Sequence, residues 1–251
     1  MRSWWIVGAF CCVARIAAAD DAPSDRVSAL DRPHTVAELE GGIIALPDAP
    51  ISAANRGGNT FLPGPLHTVG NGDATVQTGV HILYRAAPEW SVGAGAIYAP
   101  NPTTDTNYSG GSVGAAKGLN RSHSRSYLFL GGEGRFVPLR SGSFEGWIGI
   151  TAGAVIVADR FATNSAPTEP SILGTNEVTV STGGFAFGLQ TGGNYFISER
   201  LTVGVALRAD QWFLPAFSQT ASCDSFGDCP TLTGRVAAFE FGLSVGYHIP
   251  L

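Results

Sequence analysis

Lysine is all but missing from this chain. Lys117 is the only one, the 15 basic residues are outnumbered by 20 acidic ones, and no basic run occurs anywhere. That excludes the electrostatic footprint of a nucleic-acid binder and a basic amphipathic helix lying on a membrane surface. Charge of either sign is scarce: charged residues make up 14% of the chain, against about 25% in a typical soluble domain. Long hydrophobic runs are missing too. A membrane-crossing helix needs about 20 consecutive apolar residues. Residues 146–158 are uncharged but too short, and residues 178–198, also uncharged, are filled with Thr, Gly, Gln and Asn. Intrinsic disorder is excluded by the 44% of hydrophobic residues. What the chain has in excess is glycine, with 33 residues, nearly twice the usual share of about 7%. Low charge, abundant glycine and no helix spans leave a transmembrane β-barrel open.

Residues 1–19 read as a secretory signal. Arg2 supplies the positive end, residues 4–14 the apolar stretch, and Ala17, Ala18 and Ala19 a small-residue cleavage site before Asp20. A lipoprotein reading through Cys11 or Cys12 is disfavoured, because Phe10 and Cys11 are poor residues to precede a modified cysteine. Cleavage leaves Cys223 and Cys229. In an exported protein such a pair is expected to form a disulfide, worth roughly 2 to 3 kcal/mol in the chain-entropy picture. Free thiols are the alternative; a metal site is less favoured, since no His lies near the pair in sequence.

Residues 20–35 are polar and read as a flexible lead-in, and residues 36–251 as one β domain. Period-2 alternation with no sustained helical period predicts eight strands: 36–46, 73–86, 90–99, 124–139, 145–161, 178–197, 201–214 and 234–249. The connections alternate strictly between long and short. The long ones, 47–72, 100–123, 162–177 and 215–233, are rich in Gly, Pro, Asn, Ser and Thr. Strict alternation puts all long loops at one end of an up-and-down meander and all tight turns, with both termini, at the other. Outer-membrane barrels sort their loops in this way; a soluble sandwich or lipocalin has no reason to.

The strand faces point the same way. Phe239, Phe241, Leu243, Val245, Tyr247 and Ile249 share one parity, while Ala238, Glu240, Gly242, Ser244, Gly246 and His248 share the other. Val76, Val80, Ile82 and Tyr84 likewise oppose Gln77, Gly79, His81 and Arg85. An apolar face set against small and polar residues is the membrane arrangement, with the small residues in a narrow lumen. Aromatics fall into two groups expected to form interfacial belts. Tyr84, Trp90, Phe136, Trp147, Tyr195 and Tyr247 lie near the turn end, and Tyr98, Tyr127, Phe161 and Trp212 near the loop end; Trp147 is the exception by parity. Ordinary strand propensity would scatter them instead.

With these features in place, residues 36–251 resemble the small eight-stranded outer-membrane barrels, the OmpA-like and OmpX-like group. The most specific element is the alternation ending in Phe241, Leu243, Val245, Tyr247, Ile249 and Leu251, similar to the C-terminal signal read by the barrel-assembly machinery. That signal usually ends in an aromatic residue, whereas this chain ends in Pro250 and Leu251. The resemblance implies an all-β, eight-stranded antiparallel up-and-down transmembrane barrel in the bacterial outer membrane, with termini in the periplasm. No peptidoglycan-binding domain is expected after the last strand. It also implies a lumen filled by acidic and Arg side chains. By parity Glu40, Glu133, Arg135, Arg208, Asp210 and Glu240 face inward at mid height. If the last hairpin pairs Leu201 with Ile249, Asp210 lies opposite Glu240, with Arg208 as the diagonal neighbour that neutralises them. A plug of satisfied ion pairs is favoured over a proton or ion pathway, and no large open pore is expected.

Enzymatic constellations are thin. Ser122, His123 and Ser124 lack an acid to orient the histidine, and pairing Asp73 or Asp105 with His67 has nothing to support it. His81 reads as a lone hydrogen-bonded lumen residue, and His34, His67 and His248 suggest no metal site. No catalytic residues, metal or cofactor are expected. The expected role is structural, or interaction at the cell surface through four long loops. The partners would be outer-membrane lipid, the barrel-assembly machinery and an unidentified extracellular molecule. An OmpW-like passage for small hydrophobic molecules is the second hypothesis, hinted at by lumen-facing Leu83 and Val155; a lipid-modifying enzyme is the third.

Overall fold

The computed structural model describes residues 32–56, 66–100, 121–163, 177–216 and 230–250. The signal segment, most of the lead-in, Lys117, Asp105, Cys223, Cys229 and Leu251 lie outside the described residues. Eight strands follow in chain order: β1 (His34–Arg56), β2 (Leu66–Ala87), β3 (Trp90–Pro100), β4 (Arg121–Ser141), β5 (Phe144–Thr163), β6 (Glu177–Phe196), β7 (Leu201–Phe213) and β8 (Arg235–Pro250). Each pairs antiparallel with the next, and β8 pairs with β1, so the sheet closes into a barrel. Closure matters because a membrane offers no water to unpaired backbone groups, and a closed sheet has no edge along which they would be left.

Alternation along each strand is resolved as burial. Leu39, Ile82 and Leu189 on the outer face are 66%, 64% and 62% exposed, whereas Arg125 and Glu240 on the inner face are 1% and 6% exposed. A soluble protein buries its leucines and exposes its charges. Here the outer face inverts that order all the way round, which only an apolar surrounding stabilises. The eleven residues of β3 match the 9–11 that a tilted strand needs to cross a bilayer.

Three expectations are corrected. The ladder between β1 and β2 does not stop at Leu46 and Asp73 but runs to Arg56 and Leu66, with register shifts at Leu46/Pro50, Ile51/Ser52 and Ser52/Arg56. Most of the segment assigned to a loop is therefore strand. Pro47 and Pro50 lack a ladder donor, which argued for a break, but the irregular register accommodates proline. β1 begins at His34. The last hairpin pairs Leu201 with Tyr247, not Ile249, so Arg208 stands directly opposite Glu240 and Asp210 opposite Ala238. Slippage by two residues keeps every side chain on its face, so alternation alone cannot distinguish the two registers.

The third correction concerns the belts. Tyr84, Trp90, Tyr195 and Tyr247 are exposed on the outer face near the turns, and Trp90 stacks on Phe136 with ring centroids 4.7 Å apart. At the loop end Tyr98 faces out, but Tyr127 and Trp212 are buried in the lumen, their rings 5.4 Å apart. They share the parity of Glu133 and Arg208, so the pleat carries them inward. Trp147 is also inward and buried. The side chain of Phe161 lies outside the described residues.

Candidate functional site in the lumen

The inward side chains form tiers. At mid height Arg135, from β4, lies over the Trp147 ring at 4.3 Å and reaches Glu38 of β1, with Nη2 2.8 Å from Oε2. Its Nε donates to Glu133 at 3.2 Å. Glu133 meets His81 Nδ1 at 2.8 Å, and His81 Nε2 lies 3.4 Å from Glu40. Gln77 Nε2 donates to both Glu40 and Glu240 at 3.1 Å. Arg208 donates to Glu240 and to Gln190 Oε1, each at 3.4 Å, and Gln190 Nε2 returns to Glu133 at 3.0 Å. Contacts thus run from Glu133 through His81, Glu40, Gln77, Glu240, Arg208 and Gln190 back to Glu133, a closed ring across the bore. Charge in so narrow a lumen is tolerable only when paired in this way.

Of the six residues singled out in the sequence, the structure brings Glu40, Glu133, Arg135, Arg208 and Glu240 into this network. Asp210 faces inward beside it and accepts a hydrogen bond from Thr151 Oγ1 at 3.0 Å. His81 is not alone, as the sequence suggested, but bridges two glutamates. Glu38, Gln77 and Gln190 are not among the six residues singled out. Parity marked Glu38 with Glu40 and Gln77 with His81, yet their partners come from strands remote in sequence. Room for these side chains comes from glycine: a Cβ on Gly95 would strike the His81 ring, and one on Gly188 the Asp210 carboxylate.

Toward the turns, Arg85 grips Glu145 with two bonds of 2.8 and 3.0 Å, and Arg140 Nε donates to the same carboxylate at 2.9 Å. His34 Nδ1 donates to the Arg32 carbonyl at 2.8 Å, leaving its Nε2 to accept from His248 Nδ1 at 3.0 Å. Toward the loops, the mid-height ring gives way to an apolar layer of Ile44, Leu46, Ile97, Phe129, Val155, Val157 and Trp212, all buried. Above it Arg125 sits between Asp73 at 3.1 Å and Asp159 at 3.3 Å, and the Tyr127 hydroxyl donates to Asp73. Asp73 is thus held by a guanidinium and a phenol, a poor starting point for a general base. The side chains of His67, Ser122 and His123 lie outside the described residues. Among the described residues, no three His, Cys, Asp or Glu side chains gather as a metal site would require.

The C-terminal alternation has its own place. Phe241, Leu243, Val245, Tyr247 and Ile249 all project from the outer face of β8, while Glu240 at the same level projects into the ring.

No protein-family model matches this sequence, and no curated protein aligns with it significantly. Among solved structures it is similar to Neisserial surface protein A, at 7% identity and a TM-score of 0.50, covering 85% of this chain and 96% of that one. A major outer membrane protein of Thermus thermophilus also aligns with a TM-score of 0.50, at 12% identity over 86% of this chain and 99% of that one. The attachment invasion locus protein Ail of Yersinia pestis aligns less closely, at 9% identity with a TM-score of 0.44, over 87% of this chain and 99% of that one. At such identities the likeness is one of fold. With a closed eight-stranded ladder, an apolar exterior and a charged interior, the chain has the fold of the small eight-stranded outer-membrane β-barrels.

Proposed function

We propose that the chain is an integral protein of the bacterial outer membrane, with its termini in the periplasm, acting without catalysis in a structural role or in surface interaction through the connections at the end of the barrel away from its termini. The observation that carries this reading is the pairing of an apolar exterior with a bore crossed by a ring of ion pairs and amide hydrogen bonds. Eight strands leave room for side chains and little else, and the mid-height ring uses that room. A passage for small hydrophobic molecules would need a route around that ring, so the first reading is favoured.

Two measurements test it. Membrane fractionation should recover the protein with the outer membrane, and unboiled samples should migrate differently from boiled ones on a gel. Recovery only as a soluble periplasmic protein with no heat-dependent shift would overturn the assignment. Purified protein in planar bilayers should produce no stable porin-sized conductance; such conductance would refute the plugged bore.

A further inference from the structure

The loop-end mouth of the lumen is crossed by a strap. Strand β8 stands opposite β4 in the ring of eight, yet Thr231, just ahead of β8, meets residues of β4 and β5. Arg125 Nε donates to Thr231 Oγ1 at 2.7 Å. The Thr231 amide donates to Asp159 Oδ2 at 2.9 Å, and its hydroxyl to Asp159 Oδ1 at 2.5 Å. Arg125 and Asp159 are themselves buried, so the latch is set into the wall. Beside it, Leu232 is 1% exposed and joins the apolar layer with Ile44, Leu46, Ile97, Trp212 and Leu214. The segment ends at Gly234, whose φ of +73° is a conformation that glycine adopts without strain. Trp212, 1% exposed in the same layer, buries its indole N–H without an acceptor among the described residues. A buried donor left unpaired is costly and asks for a partner, and water is a poor candidate in apolar surroundings.

We propose that the apolar layer beneath the strap is a binding site for a small uncharged molecule, mostly hydrocarbon, that carries one carbonyl or hydroxyl acceptor for the Trp212 N–H. Leu232 fills the site in this structure. Release of Thr231 from Asp159 and Arg125 lets the strap swing at Gly234, withdraw the leucine and admit the ligand. The strap governs binding, not conduction, because the mid-height ring still closes the bore below. The inference therefore goes beyond the surface-barrel reading and stands or falls on separate measurements.

The test is a fluorine NMR titration of purified barrel with para-fluoroacetophenone and, as the probe lacking an acceptor, para-fluorotoluene. Thr231→Ala removes the hydroxyl from the latch and should tighten para-fluoroacetophenone binding by about tenfold, as expected when a competing closed state is depopulated. Adding Trp212→Phe should cost roughly threefold to tenfold for the ketone and nothing for the toluene, the scale of one hydrogen bond. Leu232→Trp, which overfills the layer, should abolish binding of both. Unchanged affinity in Thr231→Ala, equal loss of both probes in Trp212→Phe, or binding that survives Leu232→Trp would each overturn the proposal. If Thr231→Ala does not give the heat-shifted folded band, Leu232→Ala, which keeps the latch and empties the site, must bind the ketone more tightly than the unmodified protein; failure to do so refutes the site.

Discussion

Replacing Arg135 with alanine is expected to destabilise the barrel by about 3–5 kcal/mol, the usual effect of removing one partner from a buried charge pair. Arg135 faces two carboxylates, Glu38 and Glu133, and covers Trp147. Its loss leaves Glu38 buried without its cation and strips one of the charges that hold Glu133. A urea titration followed by the folded and unfolded bands on a gel would measure the drop in midpoint. Localisation should not change, because the outer face and the β8 alternation are untouched. Arg208→Ala and Glu240→Ala should lower the midpoint less, since the contacts of Arg208 are 3.4 Å long. Restoring neutrality with Glu38→Gln in the Arg135→Ala background should recover part of the loss. An unchanged midpoint in Arg135→Ala would mean that the ring does not hold the barrel together.

Trp212→Ala is expected to cost a similar amount, about 3–5 kcal/mol, for a different reason: it opens a cavity in a packed apolar layer. Trp212 is the bulkiest of the fully buried side chains among the described residues, and Tyr127 and Leu232 rest in the same layer. The loss should appear in the same urea titration. Trp212→Phe, which keeps most of the ring and gives up only an unsatisfied N–H, should cost much less. Equal losses from the two substitutions would mean that the indole N–H has a partner and that packing is not the main term. Arg135 and Trp212 sit in separate tiers, so their effects should add.

Much of this was legible along the chain because a strand has a period of two. Once the pattern Phe239, Phe241, Leu243 is read against Glu240 and Gly242, facing follows for every residue of β8. The same logic places Glu40, Glu133, Arg135 and Arg208 inward from the sequence alone. It also contains the answer for Tyr127 and Trp212, which share the inward parity of Glu133 and Arg208; grouping aromatics by height alone sets that signal aside. Register was not legible. Pairing Leu201 with Tyr247 or with Ile249 leaves every face unchanged, and the choice depends on the geometry of the turn and on which charges meet inside. The extension of β1 and β2 past Pro47 was hidden for a related reason: local residue preference argues for a break at proline, whereas a ladder already formed on both sides continues through irregular register.

Eight strands closed into a membrane-crossing barrel can be read from the residues alone. Alternation, loop sorting and scarcity of charge are properties that neighbouring residues carry between them. Which inward groups meet depends on how the strands are brought together. The ring joining Glu133, His81, Glu40, Gln77, Glu240, Arg208 and Gln190 draws on six strands, and the strap at Thr231 reaches Arg125, which is 106 residues away in sequence. Contacts of that kind depend on closure of the whole barrel and on register around it, quantities that belong to no local stretch of chain.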